Sequence, residues 1–292
     1  MIKRVPMSYT EGDNVIFRIR EAIRAAYDDG SEALAVAREV AAAFGISYVQ
    51  AFAGTARPLT DEEETRLSLM VARLREGWPV QYVTGRAWFM DHEYSVCPGV
   101  LIPRPETEDV ACAAAEALKG TVAPRVVDVG TGSGCIAISL KLASDDAQVT
   151  GVDISPEALA VARHNAKRLG ADVPVVWGDV TKPETMPAGP FDLVVSNPPY
   201  VRRSERGAMA VRVKDHEPEV ALFVPDGDAL VFYRALAAYG QRVLPPGGRL
   251  VVEINSALGR ETAAVFKASG YREVTVLKDR YDKDRVIRCL KV

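Results

Sequence analysis

Val126-Val127-Asp128-Val129-Gly130-Thr131-Gly132-Ser133-Gly134 is the stretch on which the fold turns. A run rich in valine leads straight into a glycine-rich turn, and the residues that follow, Cys135 to Leu142, have a helical pattern. Glycines let a ligand approach the backbone, and amides at a helix start favour polar or anionic ligand atoms such as the carboxylate of an amino-acid moiety. Gly132-x-Gly134-x-x-Ala137 also fits a dinucleotide fingerprint loosely, and a plain strand-to-helix turn would look the same, so the loop alone leaves the ligand open.

Outward from this loop the texture repeats. Gln148 to Val152, Val173 to Trp177, Phe191 to Val195 and Arg249 to Ile254 are short β-branched runs like Arg125 to Val129, separated by helical patterns such as Pro156 to Leu169 and Ala229 to Val243. Strands alternating with helices predict a largely parallel sheet. Glu273 to Leu277 and Arg285 to Leu290 leave no room for a crossover helix, so these two pair antiparallel. Toward the amino terminus, Val15 to Glu76 reads as a small helical bundle, with Ser31 capping one helix and Thr60 with Glu63 forming a capping box on another. Pro79 and Gly85 close the bundle, Ala87 to Val96 forms a short hairpin with its turn near Asp91-His92, and Thr107 opens a helix that reaches about Leu118. The expected fold is α/β: a small all-helical domain (residues 1–84), a β-hairpin linker (85–105) and a Rossmann-like domain (106–292) with a mostly parallel sheet and an antiparallel final strand.

The chain has 292 residues, 48% hydrophobic and 26% charged, with a net charge of -3, so no global positive field attracts a phosphate backbone. Stable nucleic-acid binding is not expected, and the short run Arg202-Arg203 with Arg206 reads as solvated loop charge. Cys97, Cys112, Cys135 and Cys289 lie too far apart in sequence for a zinc or redox motif, and no metal site is expected. Met1 to Asn14 contains no apolar signal-peptide core, and nothing elsewhere approaches a membrane span, which predicts a cytoplasmic protein without a membrane partner.

Three further features carry chemistry. Asp153 ends the strand Val149 to Asp153, where a carboxylate can accept both hydroxyl protons of a ribose, although it could equally cap the helix begun at Ser155-Pro156. Gly178-Asp179-Val180 follows the third strand and is placed to meet an adenine edge. Ser196-Asn197-Pro198-Pro199-Tyr200 follows the fourth strand, and its successive prolines give a stiff segment without amide donors at those positions. If the Asn197 side-chain oxygen and the Pro198 carbonyl each accept one proton of an incoming NH2, the nitrogen is fixed with its lone pair turned to a methyl donor. Tyr200 can then stack on a planar acceptor group. His92, His164 and His216 lie outside these motifs, and Glu106 and Glu108 read as helix-start carboxylates serving the dipole.

With these motifs in place, the chain resembles the HemK/PrmC family of class I methyltransferases, which methylate the side-chain nitrogen (N5) of the glutamine in the Gly-Gly-Gln motif of peptide chain release factors. The likeness spans nearly the whole chain: Pro79 to Gly85, Leu101 to Glu108, the glycine loop, Asp153 with Ser155, Ser196 to Tyr200, Glu217-Pro218 with Ala221-Leu222, and Asp284 to Val286. Arg104-Pro105-Glu106-Thr107-Glu108 favours the release-factor branch over the related ribosomal-protein glutamine methyltransferases, whose sequence differs after the same Pro-Arg. The resemblance implies S-adenosyl-L-methionine as cofactor, S-adenosyl-L-homocysteine as product and release factors as protein substrates, recognised with help from the helical domain; the enzyme is expected to be a monomer. It implies cofactor contacts from Gly130, Thr131, Gly132, Ser133, Gly134, Asp153, Asp179, Val180 and Asn197, substrate contacts from Asn197, Pro198, Pro199 and Tyr200, and catalysis by Asn197, Pro198 and Tyr200. The chain departs from the family pattern at Asn255, Leu258 and His216, positions that read as lying outside the cofactor and acceptor motifs. An adenine-N6 methyltransferase is the rival reading, because adenine offers a similar NH2 to the same loop.

Overall fold

The computed structural model describes residues 14–27 and 29–292. The reading of the first residues as lacking a signal-peptide core therefore falls almost wholly outside the described residues. Two compact units are present: the described residues up to Gly85 together with Val211–His216, and Arg86–Ala210 together with Glu217–Val292. No helix among the described residues is long and apolar enough to cross a membrane.

The smaller unit is helical: Val15–Ile23, Gly30–Ala42, Tyr48–Ala53, Asp61–Arg75 and Val80–Thr84. Ile19, Ile23, Val40 and Leu74 meet in its core, and burying each contributes about 1.5–3 kcal/mol. Thr60 and Glu63 form the capping box read from the sequence. Ser31, by contrast, lies inside its helix; Asp29 is the cap, and its carboxylate accepts from Ser31 N at 2.9 Å. Pro79 does not close the bundle but precedes the short helix Val80–Thr84, which ends on Gly85 at φ 78. Val211–His216 joins this unit: Arg212 donates to Glu32 at 2.9 Å and to the Ala26 carbonyl at 2.8 Å, and the His216 ring lies 4.5 Å from that of Trp78.

The larger unit starts with a hairpin, Arg86–Phe89 and His92–Ser95, turned by Met90 and Asp91 at φ 47 and 62. Consecutive positive φ values match the twist of a tight hairpin, and they place the turn one residue earlier than the sequence suggests. Glu108 accepts from Met90 N at 3.0 Å, so this helix-start carboxylate also anchors the turn.

The main sheet consists of β1 (Arg125–Val129), β2 (Gln148–Asp153), β3 (Val175–Trp177), β4 (Leu193–Ser196), β5 (Arg249–Glu253), β6 (Arg272–Lys278) and β7 (Asp284–Leu290). Its spatial order is β3-β2-β1-β4-β5-β7-β6. β1 to β5 are mutually parallel, and β7 runs antiparallel to both β5 and β6. This is the mostly parallel sheet with an antiparallel final strand that the alternating pattern predicts.

Side chains alternate across each strand, which explains why both faces are apolar. Val126, Leu193, Val195 and Val251 pack with helices Thr107–Ala117, Cys135–Ala143 and Pro156–Leu169. Val127, Val194, Leu250 and Val252 pack with helices Val231–Val243 and Gly259–Ala268. The connection reverses direction between β1 and β4, and in such sheets a ligand crevice opens beyond the strand ends at that point.

Candidate active site

Register brings the two key loops together. Val129 pairs with Ser196 across β1 and β4, so the glycine turn and the Asn-Pro-Pro-Tyr segment leave the sheet side by side. Ser196 Oγ donates to the Val129 carbonyl at 2.6 Å and ties the two exits. Beyond them lies a cavity of about 290 Å³. Its lining includes Gly130, Thr131, Gly132, Ser133, Asp153, Asp179, Val180, Asn197, Pro198 and Pro199. Gly134 and Tyr200 are not among the lining residues.

Gly130, Gly132 and Gly134 all hold positive φ, at 74, 56 and 82. Gly134 is needed first for its conformation at φ 82; a Cβ there would also lie 2.9 Å from the movable tip of Ile138 and 3.3 Å from Ala162 Cβ. Asp153 Oδ2 accepts from Gly132 N at 2.8 Å and Oδ1 from Ser155 N at 2.9 Å. Ser155, not Asp153, caps the helix Pro156–Leu169. Each Asp153 oxygen retains a second lone pair, enough to receive two hydroxyl donors. Burial raises the Asp153 pKa, and the backbone donors oppose that rise.

Asp128 is wholly buried; its Oδ2 accepts from Thr131 Oγ1 at 2.7 Å and Ala137 N at 3.2 Å, while Oδ1 has no partner. Burial pushes its carboxyl up to about 7. Asp179 is occupied within its own loop, accepting from Thr181 N at 2.9 Å and Thr181 Oγ1 at 2.6 Å, with Lys182 at 3.3 Å. Partial burial works to raise its pKa, but Thr181 and Lys182 outweigh it and hold the carboxyl below its ordinary value.

The acceptor loop is clamped at both ends. Asn197 Nδ2 donates to Thr107 Oγ1 at 3.0 Å, leaving Asn197 Oδ1 with no donor among the described residues. Thr107 Oγ1 donates in turn to Glu253 Oε2 at 2.7 Å, and Tyr200 OH donates to Glu253 Oε1 at 2.9 Å. Asn255 Nδ2 donates to the Tyr200 carbonyl at 3.2 Å. The sequence reading set Asn255 apart from the acceptor motif; the fold puts it in direct contact with that motif. Glu253 is 1% exposed, and burial raises its pKa against the donated hydroxyls. Thr107, which the sequence marks only as the opening of a helix, lines the cavity.

Further wall comes from Gly99 to Arg104 and from Val220, Ala221, Phe232 and Leu236. Glu217, whose side chain is 1% exposed, fixes the first of these segments by pairing with Arg104 and accepting from Ile102 N at 3.2 Å. None of the histidines is a lining residue, and His164 is exposed on its helix. The basic run is paired, three arginines against two glutamates: Arg202 with Glu205, and Arg203 and Arg206 both with Glu219.

The sheet order, the glycine turn and an acidic residue at the end of the next strand define a class I methyltransferase, dependent on S-adenosylmethionine. Comparison with known proteins narrows this. Residues 17–85 match the PrmC N-terminal domain, and residues 109–220 match the methyltransferase small domain. The release factor glutamine methyltransferase of Bacteroides thetaiotaomicron is 42% identical over 243 residues, covering 83% of this chain and 87% of the relative. The protein of the same name from Bacillus subtilis is 38% identical, covering 84% and 87%. A solved methyltransferase from Pyrococcus furiosus superposes with a TM-score of 0.51 at 17% identity, covering 80% of this chain and 99% of that one, a likeness of fold. The chain belongs to the family of release factor glutamine methyltransferases.

Proposed function

We propose that the protein transfers a methyl group from S-adenosylmethionine to the side-chain amide nitrogen of the glutamine in the Gly-Gly-Gln motif of peptide chain release factors. The observation that carries this reading is the state of Asn197. Its NH2 is tied back to Thr107, its Oδ1 has no donor among the described residues, and the residue lines the cavity.

The residues present suit the cofactor. Open glycine backbone stands beside a carboxylate with spare lone pairs at Asp153, and the cavity is close to the size of small-molecule sites, roughly 300 Å³ and upward. In this assignment Gly130 to Gly134 and Asp153 hold the amino-acid and ribose parts, and Asp179 with Val180 borders the adenine. When bound, S-adenosylmethionine supplies an electrophilic methyl group on a sulfonium.

The chain's own task is then to present a poor nucleophile. An amide lone pair is delocalised into its carbonyl, so two acceptors on the N–H bonds, Asn197 Oδ1 and the Pro198 carbonyl, orient the nitrogen and increase its electron density. Pro198 and Pro199 cannot offer competing amide donors. Tyr200 supports the loop through Glu253 and through its partly buried ring, which packs on the core. A contact of Tyr200 with the acceptor is part of the proposal.

The same proposal gives residues 1–84 a part in recognising the release factor, treats 85–105 as a linker and 106–292 as the methyltransferase domain, and has the enzyme working as a cytoplasmic monomer. The test is transfer of labelled methyl from S-adenosylmethionine to an unmethylated bacterial release factor, run beside duplex DNA and RNA. Label on the release factor alone is the expected result; label on adenine in nucleic acid would replace this reading with the rival one.

A further inference from the structure

We propose that Thr107 and Glu253 are positioning residues that set the direction of the Asn197 amide, and that this direction makes the loop an acceptor of NH2 groups. The inference deepens the function proposed above and rests on it.

The argument is one of hydrogen-bond polarity. The Thr107 and Tyr200 hydroxyls and the positive charge of Arg285 favour ionised Glu253 against the effect of burial, and in that form the carboxylate only accepts, so the two hydroxyls that meet it must both donate. Glu253 meets Thr107 Oγ1 at 2.7 Å and Tyr200 OH at 2.9 Å, one on each oxygen. With its proton committed to Glu253, the Thr107 oxygen can only accept from the Asn197 side chain, and it therefore selects Nδ2, at 3.0 Å. Oδ1 is left facing away from Thr107, which is the orientation needed to receive an N–H. Without this relay an asparagine amide can turn over at little cost and present NH2 to NH2, which repels the substrate.

The placement supports a directed relay over general packing. Thr107 is 2% exposed and Glu253 1% exposed, yet Thr107 lines the cavity that Asn197 also lines. A carboxylate that closes the apolar run Leu250 to Val252 of β5 is costly to bury, and here both its oxygens are spent on the acceptor loop's supports. Tyr200 is held by the same group, so both ends of the Asn-Pro-Pro-Tyr segment share one anchor.

Thr107→Val keeps the shape and removes the relay; Thr107→Ser keeps the hydroxyl; Glu253→Gln replaces the pure acceptor with a group that can donate. Each is assayed for methyl transfer to an unmethylated bacterial release factor, with S-adenosylmethionine affinity by calorimetry and folding by thermal melt. Thr107→Val is expected to lower kcat by about 10- to 100-fold, the scale of a misplaced reacting group, with cofactor affinity little changed and with Thr107→Ser restoring the rate. If Thr107→Val fails to fold, Glu253→Gln is expected to show the same fall in kcat. A folded Thr107→Val or Glu253→Gln enzyme with wild-type kcat overturns the inference, as does a loss confined to cofactor affinity. A wild-type protein that methylates no release factor sinks the substrate reading and this inference with it, whereas active wild type with indifferent variants sinks this inference alone.

Discussion

Replacing Asp128 by asparagine should change how stability depends on pH, because Asp128 is a wholly buried carboxyl whose pKa burial lifts from 3.8 to about 7. A folded-state pKa above the unfolded one means that the native state binds more protons in that interval. Stability from this group is therefore present at acid pH and is lost as pH rises from about 4 to about 7. At 1.36 kcal/mol per pH unit the loss approaches about 4 kcal/mol, an order-of-magnitude figure. An asparagine can turn its oxygen to the Thr131 hydroxyl and the Ala137 amide, which now meet Oδ2, and place its NH2 where Oδ1 lacks a partner. That unpartnered NH2 costs about 1–3 kcal/mol at every pH. The variant should accordingly be less stable than wild type near about pH 4, where wild type has lost little, and equal to it or more stable near about pH 8. Urea unfolding of both proteins, followed by circular dichroism across this range without cofactor, measures the difference. A stability difference that stays constant with pH would refute the buried, proton-binding Asp128.

Three other perturbations follow from the site. Asp153→Ala removes the acceptor for Gly132 N and the lone pairs that the proposal assigns to the ribose, and should weaken S-adenosylmethionine binding by at least about tenfold, or about 1.4 kcal/mol; unchanged affinity in calorimetry would take Asp153 out of the site. Gly134→Ala places a methyl group 2.9 Å from Ile138 Cδ1 at φ 82, and should cost about 1–3 kcal/mol in thermal or urea melts together with cofactor affinity. Glu217→Ala leaves Arg104 and Ile102 N without their acceptor and should destabilise the larger unit by about 3 kcal/mol, read from its unfolding midpoint, with a matching loss of cofactor affinity.

The sequence carried local features well. The helix Pro156–Leu169, the Thr60 capping box and the antiparallel final strand agree with it, because helix caps and side-chain periodicity are written in neighbouring residues. Small displacements mark where close alternatives compete, as with Asp29 in place of Ser31 as cap, or Met90-Asp91 in place of Asp91-His92 as turn. What stayed hidden depends on contacts between distant residues. Thr107 and Glu253 are 146 residues apart, and nothing local to either shows that they meet beneath Asn197. A lone glutamate closing the apolar run Leu250 to Val252 was the available signal, since a charge in that position needs a purpose. The transfer of Val211–His216 to the helical unit has no periodicity to announce it, and the contact of Asn255 with Tyr200 joins residues 55 apart.

Peptide mapping by mass spectrometry gives the most direct test of the claim that the Asn-Pro-Pro-Tyr loop presents an amide nitrogen to the methyl donor. An unmethylated release factor is incubated with S-adenosylmethionine and either the wild-type protein or Asn197→Ala. The account predicts one added methyl group on the Gly-Gly-Gln glutamine with wild type and almost none with Asn197→Ala, whose cofactor binding is largely retained. Full methylation by Asn197→Ala, or a methyl group on any other residue, would contradict it.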